Sequence, residues 1–544
     1  LGLATAFAVA FFAVGYLNSA TAFLTSIIAG NGINFMIMLS ARFYEEIRNE
    51  GPDGLEKALK ASVHGTIRGT AVAGAAAAIA YGSLIIAGFR GFRQFGIIGG
   101  VGMAACWIAT FAFGPAIIAF VHRIKPLGTM RATSGKQPIA TFVGRLVTNH
   151  SRAILFGSLV LTALSVLALI IPFGGLGGER DRHHYAPNSY LFDPFEYDFR
   201  NLRNKEGYKR GSAKLSNEVD KIFELPQNPT PCVTDDLTAV TRIKEKLLNA
   251  PNARSTIGDV KTIFDLLPKQ QEQKIPVLAD IREMIDRKID FLSEKDRKEI
   301  LDNRPADDLH VLGPDDVPGA ISRQFTESDG TRGRIFYIYS HPKESLLDGK
   351  YLLRFADFIR NTDLGADSMT AVGQAMVFAD MVAAIERDGV RVTFASFLAV
   401  VLLLFVAYRS RLGILTILAS VLLGTLWMIG FAALFDLKLN FLNFVVIPIT
   451  LGISVDYGAN IFSRYRIEGP GRMVEVLKST GGAVVLASGT TILGYATLIT
   501  STNMALQSFG LIADIGEFTC LATAELTMTA LIVWIEQNSS RRKA

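Results

Sequence analysis

The chain has few of the residues that build metal centres or disulfide frameworks. Its 544 residues include three cysteines, Cys106, Cys232 and Cys520. Two fall in apolar runs and one in a polar stretch, with no metal-ligand spacing, which argues against both a cysteine metal site and a disulfide scaffold. No G-x-x-x-x-G-K-[ST] occurs, so ATP hydrolysis by a P-loop is not expected. No nucleophile–base set points to an enzyme. The net charge is only +5, and the basic residues sit in short loops between apolar runs, so there is no nucleic-acid footprint.

Apolar sequence is abundant. Half of the chain is hydrophobic, and its mean hydropathy is +0.31. Charge gathers in residues 174–390, between flanks rich in apolar residues, Gly and Ala. This pattern is that of a membrane protein with one large soluble insertion. A bilayer-spanning helix needs about 20 mostly apolar residues. The predicted spans are 1–16, 22–41, 67–87, 95–121, 153–173, 391–408, 412–435, 441–463, 482–500 and 509–535. The expected organisation is four spans of a first half within 1–125, a cytoplasmic linker at 126–152 and a lone span at 153–173. An α/β domain at 174–390, five spans within 391–535 and a cytoplasmic tail at 536–544 follow. The chain opens on Leu-Gly-Leu inside an apolar run and reads as a fragment that begins mid-protein, not as a signal peptide.

If the spans alternate, Arg42, Arg48, Arg123, Lys125, Arg409, Arg411, Arg464, Arg466, Arg542 and Lys543 share one side, which should be the cytoplasm. The insertion then lies outside. An internal repeat sets the architecture: "GNGINFMIMLSARF" (30–43) matches "GISVDYGANIFSRY" (452–465), "IAYGSLI" (79–85) matches "LGYATLI" (493–499), and the run from residue 92 matches that from 506. Both halves therefore carry the same spans in the same orientation, a parallel repeat. Against the second half, the first lacks an opening span, a soluble domain and a second span.

Asp456 lies inside an apolar span, about six residues from its inner end, or roughly 9 Å deep at 1.5 Å per residue. A carboxylate there costs about 2.5–3.5 kcal/mol on insertion scales, and such residues are tied to ion or substrate pathways by default. Ser488, Thr490 and Thr491 on the next span are expected level with it, and Asn460 lies one turn away on the same face. Ser and Thr also bond to their own helix backbone, so pure packing is the competing reading for the hydroxyls. A structural carboxylate that merely joins spans is the competing reading for Asp456.

Gly452-x-x-x-Asp456-Tyr457, Ser463-Arg464-Tyr465, the run "SGTTILGY" (488–495) and the repeat with its soluble insertion together resemble the resistance–nodulation–division (RND) superfamily, and within it the MMPL-type branch of hopanoid-associated and other lipid exporters. The resemblance covers nearly the whole chain. It implies an α-helical polytopic fold of two parallel repeats with an extracytoplasmic α/β porter-like domain. It implies proton-coupled export from a bacterial inner membrane, powered by the proton gradient with no bound cofactor. It implies that Asp456 and Tyr457 belong to a proton relay. A lipid or other hydrophobic substrate and a periplasmic acceptor protein are the candidate partners.

The first half departs from that pattern. It has Asn34-Phe35 where the repeat requires Asp-Tyr, and Ala76-Ala77 opposite Thr490-Thr491. Asn34 can hydrogen-bond Asp456 or Tyr457 across the pseudo-twofold but cannot carry a proton, so one half is expected to titrate and the other to be inert or scaffold. Three more acids lie in the last span. Glu525 is expected at the depth of Asp456, as relay support or facing a solvated groove, while Asp514 and Glu517 are expected nearer the outer surface, lining a proton inlet.

Within the insertion, 334–340 and 369–373 read as strands, 346–361 and 375–389 as helices, and 235–302 as mainly helical. His183-His184 beside Glu179 and Asp181 has the residue types of a metal site but not the spacing. "GGLGG" (174–178) reads as a flexible exit from the membrane, and "GRMVEVLKST" (471–480) as a cytoplasmic surface helix. Two alternatives to the exporter stay open: a sterol-sensing or regulatory lipid-binding protein, and an accessory unit for protein secretion.

Overall fold

The structure is a computed structural model. It describes the chain except residues 17–20, 22, 52–53, 125–137, 171–194, 205, 208–209, 212–214, 216–217, 220–221, 223–225, 292 and 542–544. Lys125, the glycine run 174–178, the His183-His184 pair and the Arg542-Lys543 end lie outside the described residues. The chain divides into two compact units: Leu1–Glu206 with Met381–Ala544, and Gly207–Asp380.

The first unit is helical. Among the described residues nine helices are long and apolar enough to cross a membrane. In chain order, the first four are α1 (Leu24–Glu50), α2 (Leu55–Ile86), α3 (Arg90–Ile124) and α4 (Ser151–Ile170). Two helices of the second unit follow, α5 (Ala239–Asn249) and α6 (Gly349–Asn361). The remaining spans are α7 (Arg387–Ala407), α8 (Arg411–Leu434), α9 (Asn443–Glu468), α10 (Met473–Ile499) and α11 (Met504–Ser539). Gly2–Val14 is a shorter apolar helix. One expectation fails here: residues 471–480 are not a separate surface helix. Met473, Val476 and Leu477 are buried, and the chain runs through a π-turn at Leu477–Gly481 straight into α10. Three apolar side chains on one face drive that burial.

Small residues let the repeats interlock, as they do between membrane helices generally. A Cβ on Gly452 of α9 would stand 2.2 Å from Ala80 Cβ and 2.6 Å from the Ala76 carbonyl of α2. The repeat-related contact is Gly30 of α1 against Gly494 of α10, where an added Cβ would meet backbone at 3.3–3.5 Å. The halves thus cross twice at equivalent places, α9 on α2 and α1 on α10. At one end Arg464 pairs with Glu45 of the other half at 2.5 Å and with Glu468 at 2.8 Å.

The second unit holds a four-stranded antiparallel sheet in the order β2-β3-β1-β4. The strands are β1 (Thr230–Val233), β2 (Ile257–Lys261), β3 (Ile335–Ser340) and β4 (Thr370–Ala371). Cys232 opposes Phe336, and Val260 opposes Ile338. The alternation of β3 sends Phe336 and Ile338 into the core. Tyr351, Leu352, Phe355 and Ile359 line the buried face of α6, whose Asp348 caps the Lys350 and Tyr351 amides. The sheet was expected from two of its strands. Within 235–302, expected to be mainly helical, β2 is a strand: Gly258, Asp259 and Lys261 are poor strand formers, tolerated here on an edge strand.

Asp367 ties α5 to the loop before β4 through Arg242 at 2.7 Å and Lys246 at 2.9 Å. The hydrogen bonds from Arg242 and then Lys246 hold its carboxyl down to about 2. A lowered folded value means stabilisation that is complete above the ordinary carboxyl value of about 3.9 and lost as pH falls through the folded one. Asp367→Asn should therefore speed pepsin cleavage within 239–249 of the full chain near pH 4, with the gap to wild type closing by about pH 2. Equal rates at both pH values would remove Asp367 from the stability of this domain.

Candidate functional site

The centre of α9 is enclosed on all sides, and residues 443–468 include the most completely buried span among the described residues. Helix α2 packs on one flank, α8 and α11 on the other. Asp456 is 8% exposed. Asn460, one turn further on, donates from Nδ2 to Asp456 Oδ1 and to the Asp456 carbonyl. Asn34 faces the same carboxyl from the first half. Asn34 thus stands near Asp456 across the pseudo-twofold.

Thr490 and Thr491 lie against Asn34, each hydroxyl 3.2 Å from its amide. With the amide nitrogen turned toward Thr490 Oγ1, the Gly30 carbonyl and the Ala487 carbonyl, every polar atom of Asn34 is used. Both threonines also bond back to the Ala487 carbonyl of their own helix. They hold Asn34 in place beside Asp456. Ser488 is fully buried beside the Tyr457 phenol, without a hydrogen bond of ordinary geometry.

Tyr457 turns to the other flank. Its hydroxyl donates to Glu517 Oε2 of α11. Glu517 is 5% exposed: expected to line a proton inlet, it is enclosed against Tyr457. Glu517 sits about 20 Å along α11 from its first residue at 1.5 Å per residue, deep enough to meet α9 at mid-span. Asp456 and Glu517 are within electrostatic range of each other, and Tyr457, next to Asp456 in sequence, bonds to Glu517.

Glu525, expected at the depth of Asp456, faces a different helix. It lies in a π-turn of α11, Thr523–Met528, with its carboxyl against Gly481 of α10, where an added Cβ would be 2.9 Å from Oε2. Its Oε1 has no hydrogen-bond partner. Of the three glutamates on α11, it is Glu517 that bonds Tyr457. The repeat carried a signal that would have found it: Glu517 matches Met103, and Asp514 matches Gly100, so acids appear where the first half is apolar.

Two carboxyl groups, one phenol and two amides thus form a buried polar layer. Such a layer can bind, hold and pass protons. Among the described residues, no three or more His, Cys, Asp or Glu side chains converge to hold a metal ion. Beside this layer, an apolar cleft of about 560 Å³ opens between α7, α8 and α9, lined by Phe394, Phe397, Leu422, Ile429, Ile447 and Leu451 among others.

Comparison with known proteins agrees with this architecture. The chain is 22% identical over 578 residues to a hopanoid transporter, HpnN, of Burkholderia multivorans, covering 94% of this chain and 60% of that protein. It is 20% identical over 573 residues to the hopanoid transporter HpnN of Rhodopseudomonas palustris, covering 98% of this chain and 63% of that protein. The chain thus spans about three-fifths of the length of these curated relatives. The crystal structure of SecDF, a translocon-associated membrane protein from Thermus thermophilus, superposes with a TM-score of 0.53 at 12% identity, over 98% of this chain and 58% of that one. That likeness shows the shared RND-type fold. The defining pattern of the MMPL family matches residues 1–154 and 348–543, and the chain therefore belongs to the MMPL family of membrane transporters.

Proposed function

We propose that the chain is the core of a proton-driven exporter of a hydrophobic or amphiphilic substrate, most simply a lipid, in a bacterial cytoplasmic membrane. One observation carries the reading: a single helix, α9, bears both the wall of the apolar cleft, at Ile447 and Leu451, and the buried carboxyl of Asp456 five residues on. A change in the protonation of Asp456 alters what that side chain donates and accepts, and any resulting shift of α9 reshapes the cleft. The volume of the cleft suits a small amphiphile or part of a lipid. The hopanoid-transporter names of the relatives support a lipid-like cargo. The distribution of Lys and Arg supports a cytoplasmic location for the Arg464 end and an outer location for the Gly207–Asp380 domain. That domain would take substrate from the outer leaflet or pass it to a periplasmic acceptor. The proton gradient is the energy source, and the relay is Asp456, Tyr457 and Glu517, supported by Asn460, Asn34 and its threonines.

The test is a deletion of the full-length gene in the source organism, with lipids of the cytoplasmic membrane and outer envelope compared. The expected result is one lipid class stranded in the cytoplasmic membrane. The wild-type gene should restore its distribution, and a protonophore should stop the restoration. An unchanged lipid distribution would remove the exporter reading.

A further inference from the structure

The first half lacks the acidic residues of the relay, yet it places Tyr81 within electrostatic range of Glu517. Tyr81 of α2 and Tyr495 of α10 are repeat mates, the third residues of "IAYGSLI" and "LGYATLI". They converge at the pseudo-twofold, and both are within electrostatic range of the Glu517 carboxyl. Asn31 of α1 joins them, its Nδ2 donating to the Tyr495 hydroxyl at 3.2 Å. The position of Tyr81 is built, not incidental. Its ring rests on Gly99 of α3, where an added Cβ would stand 2.5 Å from the ring, and it stacks near Phe95.

This cluster is buried and under-satisfied. Tyr81 is 0% exposed and Asn31 2%. The Tyr81 hydroxyl and Asn31 Oδ1 have no hydrogen-bond partner, and neither does Asp514 Oδ1, one turn before Glu517 on α11. Buried polar atoms of this kind are met by ordered water in folded proteins. The titratable groups in range of the two phenols are Asp514 and Glu517 from α11. No basic side chain is among them.

The geometry points to a water-holding antechamber, formed by Tyr81, Tyr495 and Asn31, through which protons pass from Asp514 to Glu517. The first half is then part of the proton path, although it binds no proton itself. Its role is to orient water between two carboxyl groups, using two phenols that donate and accept. This deepens the proposed function, since it rests on Glu517 being part of a proton relay. Tyr81 and Asn31 are positioning residues.

The test is radiolytic hydroxyl labelling of the full chain in liposomes, in which water beside a buried ring oxidises it. Tyr408 is the internal control, because it is as deeply buried but bonded to Ser463 and the Ala459 carbonyl. The expected result is oxidation of Tyr81 and Tyr495 at least tenfold faster than that of Tyr408. Equal rates would overturn the proposal. A second measurement uses the paired variant Tyr81→Phe with Asn31→Leu, checked for wild-type melting behaviour. A water-soluble carbodiimide with glycinamide should then label Glu517 at least fivefold more slowly, with a shifted pH profile. Unchanged labelling would also overturn the proposal. Neither readout needs transport. A chamber that labels as expected alongside a fully active Asp456→Asn protein would leave the antechamber standing and remove the relay.

Discussion

Asp456→Asn is expected to cut export at least tenfold, to the level of the deletion strain, with the fold intact. Asparagine has the same shape as aspartate, and its oxygen can still accept from Asn460, as Asp456 Oδ1 does. What it loses is the ability to take up and release a proton. The variant should therefore match wild type in expression and melting temperature while failing to restore lipid distribution. Glu517→Gln should fail in the same way, because glutamine keeps an oxygen for the Tyr457 hydroxyl but does not titrate. Tyr457→Phe removes the hydrogen bond to Glu517 and spares both carboxyl groups, so a smaller loss is expected, with the lipid distribution partly restored. Full restoration by Asp456→Asn would make that carboxyl structural and end the mechanism. Full restoration by Glu517→Gln would confine the relay to Asp456.

Gly452→Val should disrupt the chain more severely, and at a different level. The Cβ itself would already lie 2.2 Å from Ala80 Cβ and 2.6 Å from the Ala76 carbonyl. One obstacle is backbone and the other is a methyl fixed to backbone, so neither can turn aside. Overpacking of a well-filled interior typically costs about 1–3 kcal/mol and occasionally more. A clash between two whole helices belongs at the upper end. The expected outcome is a strong fall in folded protein extracted from the membrane and a melting temperature lower by several degrees. Gly489→Ala is the control. It has no neighbour within 4 Å of an added Cβ, and alanine is the better helix former by about 1 kcal/mol, so its stability should be unchanged or higher. Equal behaviour of the two variants would mean that the halves are not in contact at Gly452.

Much of this was legible in the sequence because the membrane simplifies the problem. Long apolar runs announced the spans, and the parallel repeat announced the pairing of halves. Asp456 stood out because charge inside a span is costly. The ends of spans were less legible. Helix α2 begins at Leu55 and α10 at Met473, since amphipathic turns can continue a helix beyond its apolar core. The partner of Glu517 was missed for a related reason. Distance along one helix says little about which side chain of a neighbouring helix it meets, and the relevant contact runs from α11 to α9. In the soluble domain, β2 was hidden because an edge strand can be held by backbone pairing to β3 with little help from its own side chains.

The concentration of acids in one half has an energetic consequence. In the proposed relay, one proton on each of Asp456 and Glu517 gives two protons for each turnover of the chain. At 100 mV each carries about 2.3 kcal/mol, so the electrical driving force is about 4.6 kcal/mol. That could sustain a gradient of roughly 2,000-fold for a dissolved cargo, at 1.4 kcal/mol for each factor of ten. For a lipid it is meagre, because wetting a chain costs about 0.8 kcal/mol per methylene, and the whole driving force would expose only about six. An exporter powered in this way cannot lift its cargo through water. It has to slide the acyl or ring system along continuous hydrocarbon-like walls, and a polar substitution at Phe394 or Leu451 would tax each step of that slide.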